Sequence, residues 1–253
     1  MASSGLSGKQ SGYDGNVSRW RAFLACWAAG LQRGFDAALT SEPGFVALSV
    51  LSKHTVLRAA PQPDSAAMQL QLQALEARLK LRLPLSYRDF VMAYLPPDYQ
   101  PHRTATGEEL RVGLYAPNQV ATLQSLVPEL VALFERPALA YDAPDSDYFR
   151  YGTDQDDVAI RTSYRAASVV VGSHGPAAHD LIVLRPQVLT ADGEMEAAMI
   201  MHSGEFRAPS FAELMRQLAH MELRGSASVP PYAQSELAGG CGDYLKPQSP
   251  WWR

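Results

Sequence analysis

Two amphipathic segments joined at a proline, between residues 70 and 95, constrain the fold of this chain more than any other feature. Apolar residues recur at steps of four, three and four and so share one helical face: Met68, Leu72, Leu75 and Leu79. Leu83-Pro84 ends that helix, because proline disfavours helical geometry in the residue before it and suits the first turn of a new helix. The sequence therefore predicts a second helix over residues 85–95, stopped by Pro96-Pro97.

Composition indicates a globular chain. It has 253 residues, 47% hydrophobic and 19% charged, which is enough to bury a core. No apolar run reaches the roughly 18 to 20 residues of a membrane span, and the first 16 residues lack the apolar centre of a signal peptide. We therefore expect a cytoplasmic protein with no membrane partner. A net charge of -4 argues against nucleic acid as a partner, since Lys and Arg carry that affinity.

The two cysteines, Cys26 and Cys241, are too few for a disulfide framework or a Cys-rich zinc site. Both are predicted to be free thiols.

Four regions follow from composition and periodicity. Residues 1–17, rich in Ser and Gly, are predicted to be a flexible leader, and residues 18–61 an N-terminal helical extension. In that extension an amphipathic helix is predicted over residues 18–39, with Trp20 and Trp27 packed onto the main body. The period of Phe45–Leu57 leaves strand and helix open. Residues 62–224 form the main domain, and residues 225–253 a Pro/Gly-rich C-terminal tail.

The main domain mixes helices and strands. A short strand is predicted over residues 111–116 and a helix over 120–134, divided by Pro128. Three β-rich runs follow with turn signals and no helical pattern between them: Ser168–Val171, Leu181–Leu184 and Ala197–Met201. That spacing favours an antiparallel meander.

A capping box marks the start of the last predicted helix. Ser210 is spaced to bond the backbone amide of Glu213, and Glu213 to reach back to that of Ser210. Phe211, Leu214 and their helical neighbours are predicted to face inward, and the helix to end by Gly225.

Three short motifs in this order resemble the SUKH superfamily (Smi/Knr-like proteins) over roughly residues 62–222. They are Glu76, Leu79, Leu83-Pro84, Ser86-Tyr87 and Phe90; then Val169–Ser173 with His179–Leu184; then Pro209–Leu214. Leu95–Asp98 replaces the family's Asn-Gly-rich turn, and His179 replaces a glycine, so the chain resembles a divergent member. The resemblance implies an α+β fold with a central, mostly antiparallel sheet packed against helices.

The resemblance also implies a role. Bacterial SUKH proteins are typically immunity proteins that bind and neutralise a cognate polymorphic toxin, and fungal members are cell-wall signalling proteins; neither role is enzymatic. The leading hypothesis is a stoichiometric immunity protein, not an enzyme. The alternative is an intracellular scaffold or regulatory protein-binding module without a toxin partner, and an uncharacterised enzyme ranks third.

Polar residues around the predicted 172–180 turn do not form a persuasive catalytic or metal site. Ser173, His174, His179 and Asp180 fall within eight residues, but Gly172-Ser173-His174-Gly175 is not the G-x-S-x-G turn that exposes a nucleophile. The His spacing also lacks a zinc motif such as H-E-x-x-H. We therefore predict no catalytic residue, no cofactor and no metal.

One acidic window, residues 142–157, has a charge of -5, which exceeds the net charge of -4 for the whole chain. It carries six aspartates and one arginine, and it lacks the D-x-D-x-D-G spacing of a calcium loop. Two interpretations stay open: a solvated loop, or a recognition surface for a toxin with a basic, nucleic-acid- or nucleotide-handling active site. Under the second, the candidate partner-binding residues are Asp142, Asp145, Asp147, Tyr148, Phe149, Tyr151, Asp154, Asp156 and Asp157.

Overall fold

The computed structural model describes residues 11–41, 65–94, 102–103, 109–110, 113–174, 180–201 and 203–224. Within these ranges the chain has an α+β fold, as predicted, with seven α-helices and a six-stranded antiparallel sheet. The helices are α1 Val17–Ser41, α2 Ser65–Leu79, α3 Leu85–Ala93, α4 Leu123–Leu126, α5 Pro128–Phe134, α6 Asp145–Tyr148 and α7 Phe211–Arg224. The strands are β1 His102–Arg103, β2 Glu109–Leu110, β3 Gly113–Leu114, β4 Ala121–Thr122, β5 Val169–His174, β6 Asp180–Leu189, β7 Met195–Ile200 and β8 Glu205–Ala208.

The main sheet is a meander in which neighbouring strands run antiparallel, as the spacing predicts. Its order is β3-β5-β6-β7-β8, and β4 also pairs with β5; β1 and β2 form a separate two-stranded sheet. The sequence did not reveal β8, a four-residue strand that pairs with β7. Because side chains alternate along a strand, β6 directs Ile182 and Leu184 to one face and Val183 and Arg185 to the other.

Helices α1, α2, α3 and α7 cover the first of these faces. The centre of the Phe211 ring lies 5.1 Å from that of Tyr87 and 5.2 Å from that of Phe90. The centres of the Trp20 and Phe90 rings lie 5.0 Å apart. These aromatic residues share one core with Ile182 and Leu184. The predicted burial of Trp20, Trp27, Tyr87 and Phe90 is confirmed, so the N-terminal helix is part of the main core rather than an appendage.

Helix α3 begins directly after Leu83-Pro84, as predicted, but α2 already ends at Leu79, four residues before Leu83. Lys80 has a positive φ of 53°, and the Glu76 carboxylate accepts a hydrogen bond from the Leu83 amide at 2.9 Å. The first turn of α3 receives a second carboxylate, since the Ser86 amide donates to Glu194 at 2.8 Å. Glu194 belongs to the β6–β7 turn, so this carboxylate joins the helix pair to the sheet.

The other element predictions have mixed outcomes. Helices α4 and α5 divide at Pro128, and the Glu213 amide donates to Ser210 Oγ at 3.2 Å, both as predicted. The start of the predicted 120–134 helix is wrong, because residues 121–122 form strand β4. Gly225, where the last helix was predicted to end, lies outside the described residues. The leader was predicted to be flexible through residue 17, but Ser11 is buried and hydrogen-bonded to Asp192, and Tyr13 donates to Asp89. That prediction is wrong from Ser11 onward because composition does not reveal these long-range polar partners. The predictions for residues 42–64 and for the tail, 225–253, lie outside the described residues.

Two further sequence predictions concern Cys26 and the membrane. Cys26, on α1, is disulfide-bonded, so the prediction of a free thiol there is wrong; cysteine number and spacing do not reveal which thiols the fold brings together. Cys241 lies outside the described residues.

Among the helices in the described ranges, none has the length and apolar character required to cross a membrane.

The aromatic core provides the first prediction. Phe211→Ala removes a fully buried ring that contacts three other aromatic rings, and we expect a loss of about 3–5 kcal/mol in the free energy of unfolding. Urea unfolding followed by circular dichroism measures it. Leu85→Ala, at an exposed position on α3, is the control and should change stability by less than about 0.5 kcal/mol. Equal effects of the two substitutions would contradict this assignment of the core.

Candidate partner-binding surface

The segment from residue 123 to residue 168, which contains the acidic window, covers the second face of the sheet. Near β5 this interface is apolar, with Val170 and Val183 of the sheet against Leu123 and Val131. Toward β8 the sheet face becomes charged, and four ionic side chains there have no exposed area: Arg185, Glu196, Glu205 and Arg207. Together with Arg165 they form the buried ionic network.

Glu205 is at the centre of this network. Its carboxylate pairs with Arg185, through a short contact, and with Arg165 at 2.9 Å. Arg185 also pairs with Glu196 at 3.0 Å. Burial alone would raise the pKa of Glu205, but Arg185 and Arg165 outweigh that effect and hold its pKa below the ordinary value. For Arg185, desolvation is likewise outweighed by the attraction of Glu205, Tyr148 and Glu196, so its pKa is raised.

Two tyrosines of the acidic window extend the buried ionic network by hydrogen bonds to Glu196. The Tyr148 hydroxyl donates to Glu196 at 2.5 Å, and the Tyr151 hydroxyl donates to the other oxygen of the same carboxylate at 2.6 Å. Burial raises the pKa of both phenols well above the ordinary value; at Tyr148 the Arg185 guanidinium opposes this rise, and at both phenols the Glu196 carboxylate adds to it. Tyr148 has no exposed area, so its predicted role as a partner contact is wrong in this conformation: an aromatic residue between aspartates proved to be core.

The next part of the acidic window lies along the free edge of β8. The Glu205 amide donates to the Asp157 carbonyl at 2.8 Å, and the Gln155 side chain makes two hydrogen bonds with the backbone of Arg207, at 2.6 and 2.8 Å. A Cβ on Gly204 would lie 2.6 Å from the Asp157 carbonyl oxygen, so glycine permits this close approach. The segment therefore protects an edge that would otherwise present unpaired backbone groups.

Arg161 holds the first half of the acidic window in place. Its guanidinium pairs with Asp145, donates to the Ala143 carbonyl at 2.9 Å and lies 4.6 Å from the centre of the Tyr148 ring. Although burial alone would lower the pKa of Arg161, hydrogen bonds to Asp145 and Tyr164 raise it. Buried or half-buried groups thus fix the backbone of the acidic window, and the aspartate carboxylates of the window remain at the surface.

The predicted contact residues divide into structural and accessible side chains. Tyr148 is buried, and Phe149 and Tyr151 are only partly exposed. The side chain of Asp147 is about half exposed and pairs with Arg150 at 3.5 Å, whereas Asp145 pairs with Arg161. The remaining predicted aspartates are exposed and have no ion pair within the described part of the chain: Asp142, Asp154, Asp156 and Asp157.

Sequence reasoning missed the buried ionic network. The available signal is the position of Arg185 and Glu196 directly beside the apolar β-runs Leu181–Leu184 and Ala197–Met201, where strand alternation continues into the core. Periodicity alone did not reveal that these two residues would be register partners on adjacent strands.

The residues considered as a catalytic group are strand residues here. Ser173 is buried within β5, and its register partner is Leu181; His174 lies opposite Asp180. His179 lies outside the described residues. Over the ranges described, no three His, Cys, Asp or Glu side chains come together as potential metal ligands.

Comparisons of the chain with protein-family models, with curated proteins and with solved structures found no match. The resemblance to the SUKH superfamily therefore stays a prediction, although the α+β fold that it implied is present.

The network provides a pH-dependent prediction. Glu205→Gln leaves three buried arginines with one carboxylate, and we expect it to cost about 3–5 kcal/mol in the free energy of unfolding at pH 7. Because the folded-state pKa of Glu205 lies below its ordinary value of 4.5, its contribution is present above about pH 4.5 and is lost as pH falls through the folded pKa.

Unfolding in guanidinium chloride between pH 7 and pH 3.5 measures the difference in the free energy of unfolding between the two proteins. The gap between the unsubstituted protein and Glu205→Gln should narrow below about pH 4.5. Asp154→Asn, at an exposed carboxylate, is the control and should follow the unsubstituted protein throughout. A gap that is constant with pH would show that ionisation of Glu205 does not stabilise the fold.

Proposed function

We propose that this protein binds a basic protein partner through its acidic segment, residues 142–157, and that the partner is a polymorphic toxin that it neutralises as a stoichiometric immunity protein. The toxin is proposed on the resemblance to bacterial SUKH proteins. The observation that carries the binding mode is the group of exposed carboxylates on a segment whose backbone is fixed from below: Asp142, Asp154, Asp156 and Asp157.

A fixed acidic surface suits tight inhibition. Because Tyr148 and Gln155 already anchor the segment, little conformational entropy is lost when a partner binds. The localised negative charge would steer a basic cleft toward it and raise the association rate. Blocking an active site requires about 800 Å² of contact per partner, an area larger than this segment's carboxylates alone, so neighbouring surface must contribute.

The proposal assigns no reaction to the chain. Ser173 is buried in a strand rather than exposed on a strained turn, which supports a role in the sheet over one as a nucleophile. Tyr148 and Arg185 both bond the Glu196 carboxylate inside the core. We therefore propose a binding protein that acts without turnover.

Cytoplasmic location is part of the proposal, and the disulfide at Cys26 counts against it because disulfides are rare in reducing compartments. Alkylation of intact source cells with a thiol reagent, followed by mass spectrometry, tests both the location and the disulfide. A cytoplasmic, reduced protein should be labelled at Cys26. A protected Cys26 would place the protein in an oxidising compartment.

Co-expression identifies the partner. Toxin genes from the source genome are expressed one at a time with and without this protein, and cell survival is measured. An immunity protein should rescue cells from one particular toxin and co-purify with it at a fixed ratio. A scaffold would bind several endogenous proteins and protect against none.

The acidic surface is then tested with Asp154→Asn combined with Asp157→Asn. Unlike Asp145 and Asp147, these residues can be changed without releasing a paired arginine. We expect the association rate with the rescued toxin to fall about tenfold at low salt and the difference to shrink at high salt. Stopped-flow fluorescence measures the association rate at each salt concentration.

Two exposed acidic residues outside the segment provide the charge-matched control. Asp14→Asn combined with Glu129→Gln removes the same charge. Asp14 pairs with Arg19 at 2.7 Å, but both side chains are more than half exposed, so this pair contributes little, and the association rate should stay within about twofold. Equal losses for both pairs would indicate a net-charge effect, and no loss for either would remove the acidic segment from the interface.

A further inference from the structure

A pocket of about 380 Å³ lies beside the acidic segment, between the end of α5 and the short 3₁₀ helix Thr162–Tyr164. Its volume is within the range of about 300–1,000 Å³ typical of ligand sites. The lining residues are Phe134, Glu135, Ala140, Tyr141, Asp142, Thr162, Ser163 and Ala166. Two carboxylates, three hydroxyls and two aromatic rings thus surround the pocket, and no lining residue is basic.

Both carboxylates are available to a ligand. The Asp142 carboxylate is oriented by the Ser163 amide, which donates to Oδ1 at 3.0 Å, while Oδ2 accepts no hydrogen bond within the described part of the chain. Glu135 is exposed and makes no ion pair with any described residue. The pocket therefore presents negative charge that a bound cation would satisfy.

Arg161 and Arg165, which adjoin the lining residues Thr162 and Ala166 in the sequence, make their ion pairs elsewhere. Arg161 pairs with Asp145, on the acidic segment. Arg165 lies behind the pocket with its guanidinium carbon 3.6 Å from the centre of the Phe134 ring, and it pairs with Glu205 at 2.9 Å. Neither arginine lines the pocket, so neither neutralises the carboxylates of Glu135 and Asp142 there.

Tyr141 adds an aromatic surface to the pocket. Its side chain is about half exposed, yet its backbone is fixed. The Thr162 amide donates to the Tyr141 carbonyl at 2.9 Å, and the Tyr141 amide donates to Thr162 Oγ1 at 3.0 Å. The ring is therefore presented from a defined position next to Asp142.

We propose that this pocket receives an arginine side chain from the protein partner. A guanidinium can bond Asp142 Oδ2 through its planar fork and stack on the Tyr141 ring, whereas a lysine ammonium offers a point charge without a stacking surface. An anionic or purely apolar group would leave both carboxylates unpaired. The partner's basic character rests on the proposed function, but the preference for arginine rests on the pocket.

An NMR titration with a minimal probe tests this proposal without any toxin. The isotope-labelled full-length protein is titrated with N-acetyl-arginine amide, and in parallel with N-acetyl-citrulline amide, which has a similar shape and no charge. We expect saturable shifts of the Tyr141, Asp142 and Ser163 backbone amides with the arginine probe, with a Kd on the order of 1 mM. The citrulline probe should cause no saturable shift there.

Matched substitutions localise the interaction. Asp142 and Asp156 are both exposed, and each Oδ1 accepts a backbone amide, at 3.0 and 3.1 Å, which asparagine can replace. Asp142→Asn should weaken binding of the arginine probe about fivefold, as expected for one exposed charge pair, and Asp156→Asn less than about twofold. Tyr141→Ala should also weaken it, and a dispersed amide spectrum shows that each variant is folded.

The outcomes separate this proposal from the proposed function. No saturable shift with arginine, equal shifts with citrulline, or equal affinity of Asp142→Asn would overturn the arginine pocket, even if the protein neutralises a toxin. Arginine binding that depends on Asp142 and Tyr141 supports the pocket. If no toxin is then neutralised, the immunity function fails and the pocket still stands.

Discussion

The salt bridges of Glu205 with Arg185 and Arg165 are the interaction on which the second half of this structure depends. Burying these charges carries a large desolvation cost, which the ion pairs and hydrogen bonds of the network offset only in part, since the Nε atoms of Arg165, Arg185 and Arg207 have no hydrogen-bond partner among the described residues. Tyr148 and Tyr151 supply the hydrogen bonds that Glu196 requires, and both belong to the acidic window. The surface segment is therefore ordered by the same contacts that make the buried charges tolerable.

This coupling changes how the acidic window is interpreted. Arg165, Arg185 and Arg207 outnumber Glu196 and Glu205 beneath it, so an acidic cover is electrostatically favourable for the fold itself. Part of the negative charge is also used locally, since Asp145 and Asp147 pair with arginines of the same region. The exposed carboxylates that remain are fewer than the sequence suggested, but they are better fixed. The proposed arginine pocket lies where this fixed acidic surface meets Tyr141.

The two faces of the sheet differ in what sequence reasoning revealed. On the helical face, the spacing of Leu72, Leu75, Tyr87 and Phe90 predicted the buried side chains correctly, because helical periodicity depends on neighbours a few residues apart. On the opposite face, the prediction grouped Tyr148 with the aspartates as a contact surface. Its hydroxyl in fact bonds Glu196, 48 residues away, and no local pattern encodes that partner.

By itself, the sequence determined the α+β class, the start of α3 after Leu83-Pro84, the antiparallel meander and the capped final helix, since these follow from local spacing and turn chemistry. Only the tertiary structure decided which charges are buried, which aspartates stay accessible and that Cys26 is disulfide-bonded. The physical reason is distance along the chain: strand register brings Arg185 opposite Glu196 and within reach of Glu205, and that register is set by the whole sheet.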